Sequence, residues 1–338
     1  MPTKHPEFRA AAVQHASALH DLEAGVEKAI AIIDAAGKEG VDLLAFPEAW
    51  IPGYPYWAWL GPPVWGMRFV QAYHDNSLER DGPELAAIAD AARRNEMHVV
   101  LGFSERAGGS LFLAQSIIGP DGVTIANRRK LRPTHVERSI YGDGDGSNLA
   151  VHDTAVGRLG ALCCWEHLQP LSKYAMYSMN EQVHVASWPT LSLYRGKAYA
   201  LGPEANMAAS QVYALEGQCY VIASTSVVTR ETVDAMGLDP EQAELIPLGG
   251  GYSAIFGPDG RPLGNRLEHT DEGLVVADID IGVIALAKAA ADPAGHYARP
   301  DVTRLLLNTK PSRPVERFEP GLDEIEDAQT EEGAAPEA

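Results

Sequence analysis

The chain reads as an α/β protein, a four-layer α-β-β-α sandwich with two mixed sheets packed face to face. Three observations predict it. Strand-like and helix-like segments alternate along the chain. A Gly-Pro-Asp-Gly turn, which closes an antiparallel hairpin, occurs twice, at Gly119–Gly122 and Gly257–Gly260. The two halves that carry these turns therefore resemble each other, each an αβ unit with a hairpin.

The elements follow in order. Phe8–His15 reads as a strand and Asp21–Lys38 as a helix, with Leu22, Val26, Ile30 and Ile33 on one face. Gly37 and Gly40 stop that helix, and Val41–Phe46 is a short buried strand running into Pro47-Glu48. A segment dense in aromatics and prolines follows: Trp50, Tyr54, Tyr56, Trp57, Trp59 and Trp65. Then come a helix at about Pro83–Asn95, a strand Val99–Phe103, and the hairpin of Leu111–Ile118 with Val123–Asn127. The second half offers strand Leu159–Cys164, helix Leu171–Asn180, strand Val183–Ser187, helix Ala205–Glu216 and strand Tyr220–Thr225. Its hairpin begins at Tyr252–Phe256 and continues through Arg261-Pro-Leu-Gly-Asn265.

Composition bounds the class. With 46% hydrophobic and 22% charged residues, the 338-residue chain has enough apolar material for a large core. We expect one domain over residues 1–312 and an acidic, disordered tail over 313–338. From Glu316 onward nine acids face one arginine, so the tail carries −8 of the net −19. Such a segment cannot bury enough apolar surface to offset its ordering entropy. The remaining charge is also acidic, which argues against nucleic acid or an anionic membrane as partner. The opening residues lack the apolar run of a signal peptide, and no later stretch approaches the roughly 18 apolar residues of a membrane span. Three cysteines, Cys163, Cys164 and Cys219, are too few for a disulfide framework, so a reducing cytoplasm is expected.

Cys163-Cys164 could be two small buried hydrophobes, as most free cysteines are. The apolar run breaks at once, however, at Trp165-Glu166-His167, which puts Cys164 on a strand-to-loop corner. A nucleophile there is reachable, and the backbone N–H of Trp165 is free to hold a developing anion. A thiol of pKa about 8.5 needs a base or a cation to become a useful thiolate. His152, His167 and His184 each stand alone in the sequence. Glu48 is the better base, since it follows a buried strand and a proline. Lys130, which ends the basic run Arg128-Arg129-Lys130, is the third candidate, although such a run is often an exposed charged turn.

Phe46-Pro47-Glu48, Arg129-Lys130-Leu131-Arg132-Pro133-Thr134 and Cys164-Trp165-Glu166 together resemble the three signatures of the nitrilase superfamily, in that family's order. Thr134–Arg138 resembles its second-glutamate segment, Tyr141–Ser147 its glycine-rich loop, and Gly295–Asp301 the late motif of true nitrilases. The likeness spans about residues 8 to 310. Cys-Trp-Glu, with the runs Ala161–Leu171 and Asn180–Pro189, is most similar to the nitrile-hydrolysing branch and within it to bacterial arylacetonitrilases.

The resemblance implies a mechanism. Glu48 would take the thiol proton, Cys164 would attack the nitrile carbon, and Lys130 with the Trp165 N–H would stabilise the charge that develops. Glu137 would orient Lys130 and the leaving ammonia, unless it is a surface charge paired with Arg138. Tyr54 and Trp59 are the expected pocket walls, with Trp165 and Trp188 beside them. The family resemblance also implies homodimers that extend into spirals or filaments, and no cofactor. No metal is expected either. Asp143-Gly-Asp-Gly lacks the later ligands of a calcium loop, Cys163, Cys164 and His167 lack zinc spacing, and Gly249–Gly251 has no following Lys-Ser/Thr. Two alternatives stay open at this point: a cyanide- or amide-hydrolysing relative with the same triad, and a catalytically silent scaffold.

Overall fold

The computed structural model describes residues 5–313 and 315; most of the acidic tail, including Asp323–Ala338, lies outside the described residues. The first half runs β1 (Glu7–Gln14), α1 (Leu22–Lys38), β2 (Leu43–Ala45), α2 (Trp57–Leu60), α3 (Pro63–Asp75), α4 (Pro83–Arg94), β3 (His98–Ala107), β4 (Ser110–Ile118), β5 (Thr124–Arg129) and β6 (Tyr141–Gly142). The second runs β7 (Val151–Thr154), β8 (Gly157–Cys163), α5 (Pro170–Ser178), β9 (Val183–Ser187), α6 (Pro203–Gly217), β10 (Tyr220–Ser224), α7 (Arg230–Met236), α8 (Pro240–Ala243), β11 (Ala254–Phe256), β12 (Pro262–Leu263), β13 (Gly273–Asp280) and α9 (Ile284–Lys288).

Two mixed sheets result. One has the order β13-β1-β2-β3-β4-β5, with β6 added beside β4; the other has the order β12-β11-β10-β9-β8-β7. Strand alternation sorts the side chains into layers. Leu43, Ala45, Val100, Leu159, Ala161, Val183, Val185 and Ile222 meet between the sheets. Leu44, Val99 and Leu101 point the other way, onto Ala29, Ile33, Leu85, Ile88 and Ala92 of α1 and α4. Across the molecule, Leu162, Ala186, Val221 and Ala223 pack on Ala175, Met176, Tyr213 and Ala214 of α5 and α6. The order of layers is thus helix, sheet, sheet, helix.

Local chemistry places the element ends. The Asp21 carboxylate accepts from the Ala24 N–H at 3.0 Å and caps α1, a contribution of about 1 kcal/mol. Proline occupies the first turn of α3, α4, α5 and α6, where its missing N–H costs nothing.

Several elements depart from the sequence reading. Helix α3 starts at the end of the aromatic segment and runs on to Asp75, where the sequence reading places no element. Its buried residues Gly66, Phe69 and Tyr73 have helical spacing behind Pro62-Pro63. Strand β13 was also unassigned; it pairs antiparallel with β1 over eight residues, Glu7 opposite Asp280 and Gln14 opposite Gly273. The strand predicted to end at Cys164 ends at Cys163. Among the described residues no helix is long and apolar enough to cross a membrane.

Candidate active site

Glu48, Lys130 and Cys164 each follow a strand end. Beyond β2, the Phe46 N–H still donates to the Val100 carbonyl at 2.8 Å, and the Glu48 N–H donates across to the Trp188 carbonyl of the other sheet at 3.1 Å. Gly102 makes this approach possible, because a Cβ there would collide with the Pro47 carbonyl. Beyond β5, the Lys130 N–H donates to the Leu113 carbonyl at 2.7 Å. Beyond β8, Cys164 takes φ +47 and opens a 3-10 turn, Cys164–Leu168. That left-handed conformation costs a non-glycine residue about 1–3 kcal/mol, so neighbours must hold it.

Glu166 is one of those neighbours. Its Oε2 accepts from the Cys163 N–H at 2.7 Å, and its Oε1 accepts from the Leu131 N–H at 2.9 Å and from Arg128 Nη2 at 2.7 Å. Arg128 Nη1 donates to Gln115 Oε1 at 2.7 Å, Gln115 Nε2 to Ser187 Oγ at 2.8 Å, and Ser187 Oγ to the Phe46 carbonyl at 2.9 Å. One buried network therefore ties together the segments that carry all three candidate residues. Arg128, in a basic run whose composition would also suit an exposed turn, is buried, because its guanidinium neutralises a carboxylate inside the protein.

At the centre, Lys130 Nζ donates to Glu48 Oε1 and to Glu137 Oε2, each at 2.8 Å. Lys130, Glu48 and Glu137 are each about 1% exposed. Glu137 also accepts from the Tyr54 hydroxyl at 2.5 Å and from the Thr134 N–H at 2.6 Å. Its pairing is with Lys130; Arg138 instead donates to the Pro133 carbonyl. Among the described residues Glu48 Oε2 has no hydrogen-bond partner, which leaves an acceptor free for an incoming proton.

The electrostatics follow from burial against charge. Burial pushes the Glu48 carboxyl up to about 8, with the Lys130 ammonium opposing it. Burial alone would lower Lys130, but Glu137 and Glu48 outweigh it and hold the ammonium charged. Burial and the Glu48 charge push the Cys164 thiol well up, while Lys130 and the Trp165 backbone N–H pull it down. A protonated thiol beside a carboxyl raised towards the thiol range suits proton transfer coupled to attack.

Cys164 opens onto a cavity walled by Tyr54, Trp59, Glu137, Trp165 and Trp188, with Leu191 and Leu193 beyond. Glu48 and Lys130 do not line it and connect to it through Glu137. Its enclosed free volume is small, about 30 Å³. Trp59 and Trp165 are half-buried and stand at its edge. Trp59 Nε1 donates to the Tyr54 hydroxyl at 3.1 Å, Trp165 Nε1 to Asn206 Oδ1 at 2.9 Å, and Trp188 Nε1 to Ser210 Oγ at 2.9 Å.

A carbon-nitrogen hydrolase family model matches residues 9–289. The chain belongs to the carbon-nitrogen hydrolase family. An arylacetone-specific nitrilase of Alcaligenes faecalis is 51% identical over 309 residues, which is 91% of this chain and 87% of that protein. An aliphatic nitrilase of Rhodococcus rhodochrous is also 51% identical, over 91% of this chain and 84% of its own length. A carbon-nitrogen hydrolase of Helicobacter pylori superposes with a TM-score of 0.70 at 18% identity, over 88% of this chain and 97% of that one, a likeness of fold.

In this family member, sequence reasoning overlooked two groups. Tyr56, Leu191, Leu193, Leu201 and Asn206 also line the cavity. Only Tyr56 stood in a segment flagged by composition. Leu191, Leu193 and Leu201 come from the stretch between β9 and α6, whose fold no periodicity announces, and Asn206 from the first turns of α6. His167 and His184, read as isolated, meet: their Nε2 atoms are 2.9 Å apart. Strand β9 and the turn after β8 bring them together across 17 residues. Among the described residues, no group of three or more His, Cys, Asp or Glu is placed to hold a metal ion.

Proposed function

We propose that this enzyme hydrolyses a nitrile carried one carbon from an aryl ring to its carboxylic acid and ammonia, through a covalent intermediate on Cys164. The observation that carries the reading is the Lys130 ammonium held at 2.8 Å by both Glu48 and Glu137, beside the φ +47 turn of Cys164. Glu48 takes the thiol proton through its free Oε2, and the sulfur forms a bond to the nitrile carbon. The nitrile nitrogen gains negative charge, which Lys130 and the Trp165 N–H stabilise until it is protonated to a thioimidate. Water adds to that carbon and ammonia leaves, giving a thioester. A second water breaks the C–S bond, releases the acid and restores the thiol. Glu137 keeps the ammonium oriented throughout.

The substrate class rests on the aromatic walls Tyr54, Trp59, Trp165 and Trp188 and on the kinship with an arylacetone-specific nitrilase. A methylene spacer lets the nitrile carbon reach Cys164 while the ring stays among apolar side chains. The aliphatic relative favours a second reading, a short aliphatic nitrile. Measuring kcat/KM for phenylacetonitrile, benzonitrile, butyronitrile and cyanide in one buffer separates them. Phenylacetonitrile is expected to lead, and a lead of about tenfold or more by any other would overturn the aryl assignment.

The same reading has the enzyme in the cytoplasm as a homodimer that builds larger spiral or filamentous homo-oligomers. Exposed Leu168 and Leu171 at α5 and exposed Val212 and Leu215 on α6 supply apolar surface for such contacts. Sedimentation velocity is expected to show species larger than a dimer; a monomer alone would contradict it.

A further inference from the structure

Behind the nucleophile, away from the cavity, a chain of buried hydrogen bonds ends on the Cys164 turn. The Tyr213 hydroxyl donates to Glu181 Oε2 at 2.6 Å. Glu181 Oε1 lies 2.7 Å from His184 Nδ1, His184 Nε2 lies 2.9 Å from His167 Nε2, and His167 Nδ1 lies 2.6 Å from the Cys164 carbonyl. All four side chains are buried. The His184 ring stacks on Tyr213 with centroids 3.9 Å apart, and the His167 ring on Trp188, a wall of the substrate cavity, at 5.2 Å.

The order of donors is forced. A carbonyl only accepts, so His167 Nδ1 carries the hydrogen. In neutral His167 the Nε2 then accepts, and His184 must donate from its own Nε2. That leaves a single proton between His184 Nδ1 and Glu181, so the pair has no net charge whichever partner holds it. Burial favours the uncharged forms, raising Glu181 to about 8 and lowering His167 to about 3.

The carbonyl that receives this donation belongs to the Cys164–Trp165 peptide. The N–H of the same peptide, that of Trp165, pulls the Cys164 thiol down. Donation to one end of a peptide strengthens donation from the other. It also holds the left-handed conformation that aims the sulfur.

We propose that His167 is a positioning residue of the reaction: its Nδ1–H fixes and polarises the Cys164–Trp165 peptide, and His184, Glu181 and Tyr213 lock its tautomer. The proposal rests on Cys164 being the nucleophile. A histidine that merely fills core space would not need a particular nitrogen.

Two variants of matched polarity isolate that nitrogen. His167→Asn keeps an amide nitrogen at the δ position, within reach of the carbonyl. His167→Gln moves it to the ε position, where it meets His184 and leaves the carbonyl without its donor. His167→Gln is expected to lose about tenfold to a hundredfold in kcat, less than deletion of a whole anion-stabilising donor, with KM within about twofold. Iodoacetamide should alkylate its Cys164 more slowly. His167→Asn should recover kcat to within about fivefold of wild type. Equal losses in the two variants, or a loss confined to KM or to melting temperature, would overturn the proposal. Should neither variant fold, His184→Phe keeps a ring stacked on Tyr213 and leaves the His167 tautomer unlocked. Slower alkylation there supports the proposal, and wild-type alkylation overturns it. Cys164→Ala is the control: turnover surviving in it would sink the nucleophile reading itself. A dead Cys164→Ala beside a fully active His167→Gln would sink this inference alone.

Discussion

Cys164→Ala is expected to abolish nitrile turnover, while Cys163→Ala keeps most of it. Both thiols are buried, but only Cys164 lines the cavity. Cys163 closes β8, and its sulfur faces Arg128 Nη1 at a distant 3.8 Å. Losing that contact leaves Arg128 its bonds to Gln115 and Glu166, so the network behind the turn survives. Removing the Cys164 sulfur removes the atom that forms the covalent bond in the proposed sequence, and water is a far weaker nucleophile than a thiolate. Ammonia release at saturating phenylacetonitrile reads both variants. A dead Cys163→Ala with an active Cys164→Ala would reverse the assignment.

Glu48→Gln is expected to lower kcat by about 10²–10⁴-fold, because an amide keeps the shape but has no basic lone pair at the position of the free Oε2. Lys130→Arg is expected to be nearly as inactive. The Lys130 side chain is completely enclosed, and a planar guanidinium cannot place one compact charge between two carboxylates. Near-normal activity in Lys130→Arg would mean that the cation acts only as a distant field. The same assignment sets the pH response. Glu48 accepts a proton only as a carboxylate, and its pKa is raised to about 8. Wild-type kcat/KM should therefore climb as pH rises through that region, with an apparent midpoint shared by the coupled Glu48, Lys130 and Cys164 groups. A profile that falls over the same interval would contradict Glu48 as the base.

What was legible in the sequence was what depends on neighbours in the chain. Apolar runs ending in Pro47-Glu48 and in Cys163-Cys164, and the basic run that closes on Lys130, located three strand ends, and the structure brings those residues together with Glu137. Tyr54, Trp59, Trp165 and Trp188 do line the cavity. What escaped depends on distant partners. The pairing of β13 with β1 joins residues more than 250 positions apart, and its alternation of Val275, Ala277 and Ile279 says nothing about which strand it will meet. Arg128 carries the composition of a surface turn; only its burial against Glu166 shows otherwise. His167 and His184 looked isolated because the contact between them crosses from the turn after β8 to β9. Strand alternation does not set the direction of the Cys164 side chain, because the strand has already ended at Cys163 and the φ +47 turn does the aiming.

The proposed reaction stands on a covalent bond from substrate to Cys164. Mixing Glu48→Gln with phenylacetonitrile, quenching in acid and recording the intact mass, with peptide mapping of the adduct, tests it most directly, because loss of the base slows release of the acyl group as well as its formation. A mass increase equal to the bound thioimidate or acyl group is expected, located on the peptide at Cys164 and absent from Cys164→Ala. Turnover by the wild type with an adduct on Cys163 or Cys219, or an adduct that persists in Cys164→Ala, would contradict it.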